Sequence, residues 1–340
     1  MKIAVITDTH FGADNLRWSV GAMAACREWC GTNKIKHAFH LGDFWKHRSP
    51  IPVPVLDAVG RELSCWRAVG INLHVVVGNH DQADREGGVH GLRVLGEPIQ
   101  VYSEPHIADL GGWRVAVMPY RAPHALPEAL GLLAGKSVGA ADYLVGHFGV
   151  RGALMNDRVR DADGVDAGAL KGWKRVLLGH YHKPHNVGRT IVYVGSPIQH
   201  DFGEEGQVKG WACFDLAENR IDYVPYDAAP RHHTIEWDGT GAAPSLPAGV
   251  REHDRVRLRI RGDGAAIASP GVRAAVAAMG VAGHAVQVEA EPVIADKSRI
   301  AVTATTPLAE MVRRYVEAAA TADLDRERLV VLGTTMLEGS

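Results

Sequence analysis

Short apolar runs that break off into polar clusters recur along the first half of the chain. Leu73, His74, Val75, Val76 and Val77 stop at Gly78 and give way to Asn79, His80 and Asp81. A run rich in β-branched residues that ends this way predicts a buried strand with polar groups at its carboxyl end. The same grammar appears four more times. Residues 3–6 run into Asp8, Thr9 and His10; Ala38 and Phe39 precede Leu41, Gly42 and Asp43; 143–145 stops at Gly146 and His147; 176–178 stops at Gly179, His180, Tyr181 and His182. Five predicted strands thus deliver carboxylate, amide and imidazole groups to one rim, the edge at which open α/β sheets bind ligands. Glycine before four of these groups fits a backbone that turns tightly, or is closely approached, at the site.

Helical periodicity fills the gaps. In 15–30, Trp18, Ala22, Ala25, Cys26 and Trp29 form one apolar stripe and Leu16, Val20, Met23 and Cys30 a second. Such a helix needs two neighbours, the sheet and, by expectation, a second protomer in a homodimer. Another helix, around Val55, Leu56, Val59, Leu63 and Trp66, follows a proline-rich entrance at 51–54. Further strands are predicted at 99–102, 113–118, 190–194, 211–214 and 221–224. Strands alternate with helices early and follow one another later, which predicts an α/β fold of two packed sheets with helices outside, a four-layer αββα sandwich. Segment 149–172 carries several Asp and Arg without an apolar period and reads as a loop beside the site.

The texture changes near 226–230, and 238–249 is rich in Gly, Pro and Ala. Beyond this boundary 255–261 alternates arginine with apolar residues, a half-buried strand with an arginine face. Ser269 and Pro270 cap a predicted helix with Val272, Val276 and Met279 inward and Gly280 at its end. Val286 and Val288 belong to a returning strand, which completes a small β-α-β unit. Thr306 and Pro307 then open a helix carrying Leu308, Met311, Val312 and Tyr315, and a second carries Leu329, Leu332 and Met336, together a helical hairpin. The domains expected are 1–228, 229–300 and 301–340.

Composition narrows the classes. At 340 residues, 46% of them hydrophobic, the chain can bury a large core and hold more than one domain. A net charge of −2 gives no global basic field, so any DNA contact must come from local patches. Four cysteines are too few for a disulfide-built fold. Cys26 and Cys30 read as buried small side chains, with a zinc clip as the other reading. No charged leader with a long apolar segment and no run of transmembrane length is present, so a reducing, cytoplasmic location without membrane contact is expected.

Histidine is the outlier, at 18 residues. Any one of them could be a satisfied core or surface residue, as His37, His40, His74, His106 and His124 are read to be. The ordered set Asp8, His10, Asp43, Asn79, His147, His180 and His182 offers enough donors for two divalent metal ions. A carboxylate between two ions about 3.5–4 Å apart can bridge them, and the pair clamps a phosphate while generating a hydroxide nucleophile. Oxygen and imidazole donors without thiolate favour manganese or iron.

The order Asp8-x-His10, Gly42-Asp43, Gly78-Asn79-His80-Asp81, His147 and Gly179-His180-x-His182 resembles the calcineurin-like metallophosphoesterases. Thr7-Asp8-Thr9-His10-Phe11-Gly12, Gly179-His180-Tyr181-His182-Lys183-Pro184, and Gly195-Ser196-Pro197-Ile198 followed by Asp201-Phe202-Gly203-Glu204 are similar to the SbcD-type nuclease subunits of bacterial and phage double-strand-break repair complexes. The likeness is strong to about Tyr226 and architectural beyond it. It implies one ion held by Asp8, His10, Asp43 and His182, and a second held by Asp43, Asn79, His147 and His180. His80 would stand beside them to stabilise transition-state charge or protonate the leaving oxygen, its plainer role being support of Asp8 or a backbone group. Asp81 would orient His80. The β-α-β unit resembles that family's capping domain, and the hairpin resembles the segment that docks an SbcC-like ABC/SMC-type ATPase.

One position departs from the family. Relatives often carry His or Asp three residues after the bridging aspartate, where this chain has Lys46, followed by His47 and Arg48. These form a local basic patch that meets substrate phosphate or is a solvated loop. Arg255, Arg257 and Arg259 likewise track a DNA backbone or are a plain exposed strand face. The resulting expectation is a manganese-dependent DNA exonuclease and endonuclease, acting on double-stranded ends and single-stranded DNA through a hydroxide between two metals. A phosphatase or cyclic-nucleotide phosphodiesterase of the same fold is the alternative, against which the added C-terminal domains argue. A scaffold that has lost catalysis is a further one, against which the intact donor set argues.

Overall fold

Side chains in a strand point alternately to its two faces, and in this chain both faces of the central strands are apolar. The computed structural model describes residues 1–84, 88–96, 99–157, 159–237, 244–261, 270–271, 274, 286–291, 308–319 and 327–331. In the first sheet β1 (Lys2–Ile6), β2 (His37–His40), β3 (Asn72–Val76) and β4 (Gln100–Tyr102) are parallel. Strands β11 (Gly210–Asp215) and β12 (Arg220–Pro225) join antiparallel, giving the order β12-β11-β1-β2-β3-β4. The second sheet contains β5 (His106–Asp109), β6 (Arg114–Met118), β7 (Tyr143–His147), β8 (Arg175–Gly179), β9 (His185–Val187) and β10 (Ile191–Tyr193). Its order is β5-β6-β7-β8-β10-β9, with β6, β7, β8 and β10 parallel.

The alternation decides the layers. Ile3, Val5, Phe39 and Val76 meet Val115, Val117, Val145 and Leu177 in a core between the sheets. The intervening residues Ala4, Ile6, Ala38 and Val75 face outward onto α1 (Leu16–Thr32) and α2 (Val53–Ala68), through Met23, Cys26, Val55, Leu63 and Trp66. On the far side Ala116, Met118, Leu144 and Leu178 pack on α3 (Leu126–Ser137) through Leu126, Leu130 and Leu133. This is the expected αββα sandwich.

Several elements were not foreseen. Helix α3 contains Pro127, Gly131 and Gly135, which hide its pattern, and burial of its leucines on the sheet overrides their poor propensity. The edge strands β5 and β9 are four and three residues long. Segment 149–172 is mostly loop, as expected, with a 3-10 turn at Ala167–Leu170. It also buries Val150, Ala153, Val165 and Leu170, so it fills part of the outer layer beside α3.

Both stripes of α1 are covered by the chain itself. Leu16, Val20, Met23 and Cys30 pack in the core that holds α2 and the sheet, whereas Ala22 and Trp18 pack with Ile198, Tyr226 and Ala229. The expected second neighbour is therefore the chain's own return across the helix, and the stripe gives no argument for a second protomer. Cys26 and Cys30 are buried, as expected; burial pushes the Cys26 thiol up, and no candidate metal group among the described residues includes either.

A third sheet follows, made of β13 (His232–Trp237), β14 (Arg255–Arg261) and β15 (Val286–Glu291), all parallel. The parallel β14–β15 pair agrees with the expected β-α-β unit, while β13 is an added edge strand without a counterpart in the periodicity. Ile235, Val256, Leu258 and Ile260 form its core. Residues 270–271 and 274 of the expected intervening helix are helical, and Val272, Val276 and Met279 lie outside the described residues. At the C-terminus α4 (Leu308–Ala319) and a helical stretch at 327–331 match the expected helices; Leu332 and Met336 lie outside the described residues. No described helix is long and apolar enough to cross a membrane.

Candidate metal centre

Strands β1, β2, β3, β7 and β8 all end at one rim, and the loops leaving them are sharply bent. Asp8 (φ 52°), His10 (φ 44°), Asp43 (φ 51°) and His180 (φ 95°) adopt left-handed backbone conformations. For non-glycine residues this costs roughly 1–3 kcal/mol each and persists only where the surroundings impose it. The loops impose it on one another: Asp8 N–H donates to the Gly42 carbonyl and His10 N–H to the Asp43 carbonyl, both at 3.0 Å. Two glycines allow the close approach. A Cβ on Gly78 would lie 2.2 Å from the Asp43 nitrogen, and one on Gly179 would lie 2.1 Å from Thr7 Oγ1.

The structure gathers all seven predicted donors. Ligand atoms of Asp8, His10 and His182 lie within 4.8 Å of one another, as do those of Asp43, His147 and His180. Asn79 Oδ1 is 3.0 Å from both His147 Nε2 and His180 Nδ1. Asp43 stands between the groups, with Oδ2 3.7 Å from His10 Nε2 and Oδ1 3.3 Å from His147 Nε2. This is the position a bridging carboxylate requires.

Neighbouring groups fix which ring nitrogens face inward. His147 Nδ1 donates to the Leu41 carbonyl at 2.7 Å, which turns Nε2 toward Asp43 and Asn79. His182 Nδ1 donates to Glu204 Oε1 at 2.6 Å, which turns its Nε2 toward His10 Nε2, 3.1 Å away. Acceptors converging in a buried space call for a cation among them, and oxygen and imidazole donors without sulfur suit a hard or borderline divalent metal.

The electrostatics follow from burial against charge pairing. Burial lowers His10 well below the ordinary histidine value and His180 to about 3, and it raises Asp8. Burial also opposes ionisation of Asp43, but the imidazoles of His147 and His10 hold its carboxyl well below the usual carboxylate range. Burial likewise opposes the charged form of His147, yet Asp43 outweighs it and pushes that ring up to about 9. Asp43 is thus the anion that the site keeps.

His80 lies beside these donors, grouped with His10 and Asp43. Its backbone N–H donates to Asp43 Oδ1 at 2.8 Å, and its ring centroid is 4.8 Å from that of His10. Asp81 does not orient it. The Asp81 carboxylate instead accepts from the backbone N–H groups of Phe44 (2.9 Å), Trp45 (2.9 Å) and Gly78 (2.8 Å), because these donors are buried and need a partner. Asp81 therefore ties the loop after Asp43 to the end of β3. Burial, with repulsion from Asp43, pushes its pKa up to about 7.

The basic residues are arranged differently from the donors. Lys46 is half-buried and pairs with Asp14, while His47 and Arg48 are exposed at the rim. Arg255 donates to the Asp14 carbonyl at 3.3 Å, Arg257 lies 4.5 Å over the Phe202 ring, and Arg259 pairs with Glu236 at 3.1 Å. These three arginines make contacts within the chain and are not among the gathered donors. Beside His180 a cleft of about 370 Å³ is lined by Tyr120, Arg121, Met155, Val159, Arg160 and Tyr181.

Sequence reasoning assigned no role to Glu204, His200 or Lys209. Glu204 binds His182 as described, His200 Nε2 donates to the Asp8 carbonyl at 2.9 Å, and buried Lys209 pairs with Glu204 at 2.7 Å. Glu204 lay within a motif carrying the family resemblance, but no strand-end pattern marked it.

Comparison with known proteins agrees with this geometry. The calcineurin-like phosphoesterase profile matches residues 1–224. The chain is 25% identical over 235 residues to exonuclease subunit 1 of Enterobacteria phage T4, covering 66% of this chain and 68% of that protein. It is 29% identical over 106 residues to the SbcD component of the SbcCD nuclease of Staphylococcus epidermidis, covering 28% of each. Against the crystal structure of a dimetal phosphatase from Danio rerio the TM-score is 0.45 at 12% identity, covering 66% of this chain and 95% of that one. Since the profile spans both large sheets and every donor at their shared rim, the chain belongs to the calcineurin-like phosphoesterase family.

Proposed function

We propose that this phosphoesterase is a metal-dependent DNA nuclease that processes double-stranded ends and single-stranded DNA. The observation that carries the reading is the similarity to a phage exonuclease subunit over 235 residues. Asp8, His10, Asp43 and His182 would hold one ion and Asp43, Asn79, His147 and His180 the other, with manganese favoured by the donor set. Bound there, two divalent ions neutralise phosphate charge and lower the pKa of water. His80 then stabilises the transition-state charge or supplies a proton to the leaving oxygen. Lys46, His47 and Arg48 supply cationic groups at the rim for a phosphate backbone.

The domain division at about 228 and 300 belongs to the same proposal, with the third sheet as a cap and the C-terminal helices docking an SMC-like ATPase. Similarity to the SbcD-type subunits supports that partner, a homodimer and a cytoplasmic site of action. The test is hydrolysis of linear duplex DNA with manganese, run beside a nitrophenyl phosphodiester and a phosphomonoester. DNA and diester cleavage is expected; turnover of the monoester alone would replace the nuclease with a phosphatase.

A further inference from the structure

The turn at 199–209 touches the metal centre on one side and the third sheet on the other. Toward the centre, Glu204 Oε1 accepts from His182 Nδ1 at 2.6 Å, while Oε2 accepts from Lys209 Nζ at 2.7 Å and from the His200 backbone N–H at 3.1 Å. Lys209 also donates to the His182 carbonyl (2.8 Å) and to Ser196 Oγ (2.9 Å). Only 9% of the Glu204 side chain and 4% of that of Lys209 are exposed, so neither has room to choose another partner. His200 holds the Asp8 carbonyl from the same turn.

Toward the third sheet the turn binds the edge strand β13. Gln199 Oε1 accepts from the His232 N–H and Glu205 Oε1 from the Thr234 N–H, each at 2.8 Å. These are alternate backbone donors along that strand. The Phe202 ring packs edge-on against His232, with centroids 4.6 Å apart, beneath the Arg257 guanidinium.

We propose that this turn positions the metal ligands according to where the third sheet is seated. Glu204 is a positioning residue: it fixes the tautomer and angle of His182, Lys209 holds Glu204, and the grip on β13 holds the turn. A carboxylate on the outer nitrogen of a metal-binding imidazole has this effect generally, and its loss costs roughly 10–100-fold in metal affinity. The inference rests on the assignment of His182, Asp8 and Asp43 as ligands.

Manganese titration of the full chain, followed by calorimetry and by the spin resonance of free manganese, tests it. The wild type is expected to bind two equivalents, and Asp43→Asn to lose them. Glu204→Gln keeps the shape of the side chain and should weaken one equivalent roughly 10–100-fold while leaving the other unchanged. The double variant Gln199→Ala, Glu205→Ala touches no ligand and leaves Glu204 in place, yet should weaken the same equivalent by a smaller factor. Unchanged affinity in the double variant, or equal weakening of both equivalents with a loss of thermal stability, overturns the inference and makes the turn merely structural. A wild type that binds no manganese, or an Asp43→Asn variant that binds it normally, instead sinks the ligand assignment beneath it.

Discussion

Nδ1 of His80 lies 3.0 Å from the carbonyl oxygen of Lys46. A carbonyl only accepts, so Nδ1 carries the proton of that bond, and Nε2 is left as the nitrogen able to act on substrate. His80→Ala should therefore lower the rate of phosphodiester hydrolysis by about 10²–10⁴. Manganese stoichiometry, measured by elemental analysis, should stay at the wild-type level; a lost equivalent would make His80 a ligand.

The same contact uses the backbone of Lys46 and not its side chain. Lys46→Ala removes an ion pair with Asp14 that is partly exposed, worth about 0–1 kcal/mol, and leaves the carbonyl in place. Hydrolysis of a nitrophenyl phosphodiester should fall less than about tenfold, well short of the loss of a proton-transfer group. A drop as large as that of His80→Ala would show that the ammonium itself acts at the centre.

Asp43 is the one carboxylate placed between the two groups of donors. Asp43→Asn should abolish metal-dependent hydrolysis, and a chelator should do the same to the wild type. Full activity under either condition would contradict a two-metal centre.

Lys209 neutralises Glu204 where both are buried. Lys209→Met leaves that carboxylate without its cation, a change that typically costs about 3–5 kcal/mol. Urea unfolding at neutral pH should show the loss, and a midpoint equal to that of the wild type would mean that Glu204 is stabilised elsewhere.

His74 sits far from the rim chemistry, stacked on Phe39 with ring centroids 4.6 Å apart and with Nδ1 2.9 Å from the Tyr102 hydroxyl. Burial lowers its pKa from 6.5 to about 4. The folded value lies below the unfolded one, so the unfolded chain takes up the proton first as pH falls. Stability is full above 6.5 and is lost between there and about 4, by roughly 3 kcal/mol. His74→Phe should make the acid limb of the stability curve shallower in urea unfolding at pH 7 and pH 4.5. Parallel loss in wild type and variant would assign the acid sensitivity to other histidines.

Local sequence was enough to specify the sandwich and its seven donors, because each donor stands just past the end of a strand whose apolar run and terminal glycine are local features. Strand direction then carries Asp8, Asp43, Asn79, His147 and His180 to one edge whatever the rest of the chain does. Tertiary packing settled what depends on how distant segments return. Asp81 turned to the N–H groups of Phe44 and Trp45 because those donors were buried there. The second face of α1 was met by Ile198 and Ala229 of the same chain. Glu204 reached His182 from 22 residues away through a turn with no strand-end pattern. Periodicity reports which side of an element is buried, but it carries no information about which remote side chain arrives to bury it.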